Sequence, residues 1–342
     1  MAGTTEQQTT VNGWHLRLEE HIRSFAWSPD GTRVVAALAD GTLALVNTVD
    51  GALERVFEAH RPGVQAVAWA NFPAIIVSGG EDGRVKWWRA FSGELVCEQP
   101  GGATWVEHVR GSPDGQLIAT GSGRHLRIWN MSGEQVFASD AHASSITSLA
   151  WRNDSQAVVT TNSGGVQVFE LHSTKPPNAL PGQAIYLSCA LSRDGKHLAA
   201  GAQENSVTYW KLPLARKKPA LHMRGYPGKV RQLAWDRTSR FLATGGGHLV
   251  TVWDVSGKGP AGTTPLQLAG HEARLTALTF QANGDILASG CAEGRVCLWH
   301  PAQTHKGLCA AKLESEITRV QFSPDNKELL IATADGQLKL IR

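Results

Sequence analysis

The sequence predicts an all-β protein: one eight-bladed β-propeller of four-stranded antiparallel blades, its ring closed by the N-terminal strand. Three observations predict it. A unit of four strand-like runs recurs along the 342 residues, and its third run closes at Val46, Trp88, Trp129, Phe169, Trp210, Trp253, Trp299 and Ile341. That is a period in the low forties, the length of a propeller blade. Ser-Pro-Asp-Gly and Asp-Gly breaks divide the runs, which is hairpin chemistry. No single unit can bury both faces of its sheet, so the units must stack, and a ring stacks them without leaving a bare end.

The first strand of each unit alternates, with inward pairs such as Ile22 and Phe25, Val64 and Val67, Val106 and Val109. The turn after it reads Ser28-Pro29-Asp30-Gly31, Ser112-Pro113-Asp114-Gly115 and Ser323-Pro324-Asp325-Asn326. Proline presets φ for a type I turn, and Asp then Gly accept the conformations that follow. Second strands are small and apolar, as at 34–38, 75–78 and 329–332, and break at Asp40-Gly41, Asp82-Gly83, Glu293-Gly294 and Asp335-Gly336. The third strand carries the closing aromatic residue, and six of the twelve Trp lie in or beside third strands. A weaker fourth strand follows Asp50-Gly51 and Ser92-Gly93. The last unit stops at Arg342 after its third strand, and residues 14–20 align with a fourth. The N-terminal strand is therefore expected to complete blade eight and to cover an edge. This leaves residues 1–11 as a flexible segment ahead of one domain, 12–342.

These motifs resemble the WD-repeat β-propellers across about residues 12–342. The match rests on the Ser-Pro-Asp-Gly turns, the closing Trp with one literal Trp253-Asp254, and a His ahead of the first strand at His60, His142 and His271. In that family the leading His, a Ser or Thr of the second strand, the hairpin Asp and the closing Trp form a buried hydrogen-bonded set. The resemblance implies such a set in blade two, His60, Ser78, Asp82 and Trp88. It implies another in blade seven, His271, Ser289, Glu293 and Trp299, with Glu for Asp. Hairpins of blades three and six read one residue shorter. The fold hosts many functions, so the resemblance implies architecture and not activity.

Composition excludes more than it assigns. Thirty-three basic against 30 acidic residues give net +3, with no electrostatic case for nucleic acid or an anionic membrane as partner. Residues 1–10 lack an apolar signal core, and five Cys without close pairing read as reduced thiols, so a cytoplasmic protein is expected. There is no Gly-x-Ser-x-Gly elbow or phosphate-cradling loop, and Gly245-Gly246-Gly247 lies in a hairpin. Neither an enzyme nor a cofactor is expected. Blade seven gathers Cys291, Cys297, Cys309, His300 and His305, residue types that ligate zinc but here without a CxxC knuckle. A zinc-linked function is the alternative reading. The basic run Arg216-Lys217-Lys218 reads as a solvated loop on the opposite face from the mouth of the channel.

Family geometry aims the residues that flank each first strand's leading inward position at the mouth of the central channel. His21, Trp105, Lys229 and Arg274 precede that position, and Arg23, Glu107 and Arg231 follow it. Trp and Arg are the residue types enriched in binding hot spots. The expected function is a non-catalytic scaffold that binds a protein or peptide on this top face, with Trp105 as anchor and the cations meeting acidic groups of the partner.

Overall fold

A computed structural model describes residues 13–70, 74–180, 182, 184–213, 220–257, 259–260, 262–304 and 306–342. Among the described residues the strands form eight four-stranded antiparallel sheets. Blade one runs Ile22–Trp27, Arg33–Leu38, Thr42–Asn47 and Leu53–Glu58 from the axis outward, and the other blades repeat this order. Blade eight consists of Ile317–Phe322, Leu329–Thr333 and Gln337–Ile341, and its outer strand is His15–Arg17. Leu16 stands opposite Leu338, and Leu340 N donates to Trp14 O at 3.0 Å. The ring closes as the sequence predicts. The segment 1–11 lies outside the described residues.

The turn chemistry explains why the strands stop where they do. Ser28 Oγ donates to Asp30 Oδ1 at 2.6 Å and accepts from Arg33 N at 2.9 Å, so one hydroxyl clamps both sides of the turn. The clamp recurs at Ser192–Asp194 and Ser323–Asp325, both 2.6 Å. Gly31 sits at φ 73°, where a Cβ is strained, and Asn326 takes the equivalent place at φ 64°. The shorter hairpins are also present. Five residues separate Gly79 from its partner Val85 in blade two, but four separate Gly121 from Leu126 and Gly245 from Val250.

The core is distributed around the ring. Eight apolar clusters of buried residues each join one blade to the next. The cluster between blades two and three contains Val77 and Trp87 from one, Val106, Val109 and Trp129 from the other. The Trp87 and Trp129 rings meet edge-on at 5.8 Å, the arrangement their quadrupoles favour. All eight closing positions named above are buried.

Near the axis, side chains of first strands bridge successive blades. His108 Nε2 donates to Ile146 O at 3.1 Å, Thr147 Oγ1 to Tyr186 O at 2.7 Å, and Gln232 Nε2 to Thr276 O at 3.2 Å. Thr276 Oγ1 then bonds Ile317 O, and Arg319 Nη1 donates to Ser24 Oγ at 3.2 Å. This girdle satisfies polar groups at the inner wall and sets the spacing of the blades.

Candidate functional site

The channel mouth is built by a repeated irregularity. The first strands of blades one, two, three, five, seven and eight each shift register just after their leading inward residue, as between Ile22 and Ser24 and between Val106 and His108. A bulge leaves one residue outside the ladder and re-aims its side chain. Arg23 and Glu107 are such residues, and both are exposed. In blades one, two, five, seven and eight the residue before the first strand is tied to the residue just past the second strand, for example Ala39 N to His21 O at 3.0 Å and Ala292 N to Arg274 O at 3.0 Å. These positions therefore stand at one end of the ring, beside the hairpins that join second and third strands.

Trp105 is 49% exposed, and Ile185 beside the first strand of blade five is 37% exposed. The cations divide into two groups. Arg274 Nη2 pairs with Glu316 Oε1 at 2.8 Å, Arg23 reaches Glu81 at 3.8 Å, and His21 Nδ1 bonds Ala334 O at 2.8 Å. Lys229 and Arg231 are exposed and make no ion pair among the described residues. The arc of cations read from the sequence thus reduces to Lys229 and Arg231, because carboxylates of neighbouring blades engage Arg23 and Arg274 and a backbone carbonyl engages His21. Glu107 has no ion pair among the described residues, and partial burial raises the pKa of its carboxyl.

The buried hydrogen-bonded sets are structural. In blade two, Trp88 Nε1 donates to Ser78 Oγ at 2.8 Å, Ser78 meets His60 Nε2 at 2.7 Å, and His60 Nδ1 meets Asp82 at 2.8 Å. Burial lowers the pKa of His60 despite the nearby Asp82, so the ring is neutral and relays one direction of donation from Trp to Asp. Blade seven departs from the expectation. His271 Nε2 and Trp299 Nε1 both reach Ser289 Oγ at 2.7 Å, but among the described residues His271 Nδ1 has no partner and Glu293 does not engage it. Blade six holds a set the sequence reading missed. Tyr226 Oη replaces the His and meets Thr244 Oγ1 and Trp253 Nε1, each at 2.8 Å. The signal was there: Tyr226 precedes Thr244 by 18 residues, as His60 precedes Ser78 and His271 precedes Ser289.

The zinc reading gains no support. Among the described residues no three His, Cys, Asp or Glu side chains group as a metal site, and His305 lies outside them. Cys291 and Cys297 are buried core residues and Cys309 is exposed, so the strand pairing of Cys297 with Cys309 does not gather a ligand set. Burial pushes the Cys297 thiol up to about 12. Arg216, Lys217 and Lys218 also lie outside the described residues.

Comparison with known proteins adds the following. A family model described as the WD domain, G-beta repeat, matches residues 93–130, 217–254 and 262–300. One described as the anaphase-promoting complex subunit 4 WD40 domain matches residues 7–72. The chain is 24% identical over 86% of its length to the serine-threonine kinase receptor-associated protein of Dictyostelium discoideum, and spans 99% of it. It is 26% identical over 82% of its length to telomerase protein component 1 of Rattus norvegicus, but spans only 11% of that protein. It is 23% identical over 75% of its length to cell division cycle 20.1, cofactor of APC complex, of Arabidopsis thaliana, and spans 58% of it. The crystal structure of the computationally designed Ika8 protein superimposes with a TM-score of 0.77 at 24% identity, covering 95% of this chain and 97% of that one. That likeness concerns the fold alone.

Proposed function

This chain belongs to the WD-repeat β-propeller family, and on that premise we propose that it is a non-catalytic scaffold whose channel-mouth face grips a protein or peptide partner. The observation that carries the reading is the half-exposed Trp105 beside a bulged strand. Every closing position of the eight blades is already buried, so folding does not require an indole at the rim. A large rigid side chain in that place is the residue type that anchors interfaces. Lys229 and Arg231 supply the charge, and they suit acidic groups on the partner. Several relatives are named for assemblies, among them a cofactor of the APC complex and a receptor-associated protein, which supports a role in assembly rather than in chemistry.

The test is titration of one captured partner against variants. Trp105→Ala is expected to weaken binding by about 2 kcal/mol, as central aromatic anchors do. Lys229→Glu with Arg231→Glu is expected to weaken it as well and to flatten its salt dependence. Unchanged affinity in both variants would move the platform off this face. A cytoplasmic location is part of the same proposal, resting on five free thiols, and cell fractionation checks it.

A further inference from the structure

At the end of the ring opposite the channel mouth, one residue stands just ahead of the first turn in every blade. Six of these eight places are aromatic: Trp27, Trp69, Trp151, Trp235, Phe280 and Phe322. Blade three has Gly111 there, and blade five has Leu191. Blade five also departs in the turn itself, which reads Ser192-Arg193-Asp194-Gly195 where blades one, three and eight have Pro after the Ser. Each blade carries the same structural load, so the ring does not require what one blade changes.

Both departures of blade five line one cavity of about 490 Å³, together with Trp151, Trp235 and Phe280. That volume falls in the range of cavities that hold small organic ligands. Its aromatic wall is preformed. Trp151 Nε1 donates to Arg110 O and Trp235 Nε1 to Ala190 O, both at 3.0 Å, so each indole is fixed by the preceding blade. Arg193 Nη1 donates to Ala282 O at 2.6 Å and to Asn283 Oδ1 at 3.0 Å, reaching past blade six to blade seven. Neutral acceptors thus hold the guanidinium in place, and its Nε and Nη2 have no partner among the described residues.

The acids around Arg193 are already engaged. Asp285 holds Arg237 at 2.8 Å, and Asp194 accepts from Ser192 Oγ at 2.6 Å. Asp236 accepts from Arg240 N at 2.8 Å and from Phe241 N at 2.7 Å, within its own turn. A second recess of about 460 Å³, lined by residues of blades four and five, shares Leu191 and Arg193. Its other cations are paired, Arg152 with Glu170 at 2.6 Å and Lys196 with Asp194 at 3.9 Å. Arg193 is therefore the one cation of either cavity without a carboxylate among the described residues.

We propose that this lower mouth binds a small carboxylic acid that carries an aromatic ring, with the ring among Trp151, Trp235 and Phe280 and the carboxylate on Arg193. Aromatic walls favour offset or edge-on contact with a ring. A guanidinium edge offers two N–H groups that match the two oxygens of a carboxylate. An inorganic anion would leave the rings uncovered, and a hydrocarbon would leave the guanidinium unanswered. The site lies at the other end of the ring from Trp105 and rests on no reading of that face.

Ligand-observed NMR titration with phenylpropanoate tests it, with acetate and phenylpropanamide as controls. Phenylpropanoate is expected to saturate one site per chain. Each control lacks one half of the contact and should bind about tenfold more weakly or worse. Arg193→Gln should weaken phenylpropanoate by about tenfold or more. Leu191→Trp, which restores the aromatic residue of the other blades and fills the cavity, should do the same. Arg193 is exposed, so its variant decides the matter if Leu191→Trp does not fold. No saturable binding, equal affinity for either control, or wild-type affinity in Arg193→Gln would each overturn the proposal.

Discussion

His108 and His271 are held neutral by the same cause acting in different places. Burial is the larger influence on each, with the positive charge of Arg110 beside one and Arg295 beside the other, and both fall from 6.5 to about 4. A group whose folded pKa lies below its unfolded value binds fewer protons when folded. Its stabilisation is complete above pH 6.5 and fades as pH falls toward 4. Each is expected to cost about 1–2 kcal/mol of stability between pH 7 and pH 5. His108→Gln, which retains a donor for Ile146 O, should show a shallower fall than the wild type in denaturant titrations at the two pH values. At this scale the sequence reading was uneven. The exposure of Trp105 was legible because the column of equivalent positions is, Ile185 aside, polar or small. The pairing of Arg274 with Glu316 was not, because it depends on how far one blade is turned against the next, which no single repeat records.

Within a blade, the hydroxyl of the second strand is the hub and the acid of the hairpin is an optional end. Ser78 serves His60 and Trp88 together, and Asp82 completes the set, while in blade seven the set stops at His271. Glutamate is one methylene longer than aspartate and does not reach the ring from the same hairpin position. Asp82→Ala is therefore expected to lose about 1–3 kcal/mol of stability, and Glu293→Ala less than about 0.5 kcal/mol. Equilibrium unfolding in urea measures both, and equal losses would contradict the geometry. Strands and turns were readable because hairpin chemistry is local: a Ser, an Asp two residues on and a Gly suffice. The blade-six set was missed because a phenol does the work of an imidazole. The spacing that would have exposed it belongs to pairs rather than to single motifs.

The whole ring depends on a strand that is distant in sequence. His15–Arg17 covers the edge of Gln337–Ile341, and Leu18 lies in the cluster that joins blade eight to blade one, with Trp14 and Leu16 packed against it. Deleting residues 1–18 is expected to lower Tm by more than about 5 °C, because it bares a strand edge and opens that cluster. Deleting residues 1–8, which are polar in sequence, should leave Tm unchanged. Equal melting temperatures for the two truncations would refute the closure. The blade count and the closure were legible because the period is regular and the last repeat is one strand short.

The girdle of side-chain bonds near the axis has one gap. It runs from blade three through blade eight to blade one, with Ser188 Oγ donating to Val230 O at 3.4 Å between blades five and six, and the Arg23–Glu81 pair carries it onto blade two. Between blades two and three, Ala66 and Ala68 occupy the corresponding places, and the contact near the axis is apolar, with Val77 and Trp87 against Val106 and Val109; the hydrogen bonds that cross this joint, Cys97 Sγ to Ser132 O and Arg127 Nη1 to Gly101 O, lie further out. Directional bonds resist sliding, whereas apolar contact resists only separation. Treated as a hoop under load, the ring is stiff over most of its circumference and compliant at one joint. Shear between blades two and three meets no side-chain hydrogen bond of the inner girdle among the described residues. Trp105 stands at that joint, so a ligand seated on the indole would sit where the hoop yields most readily.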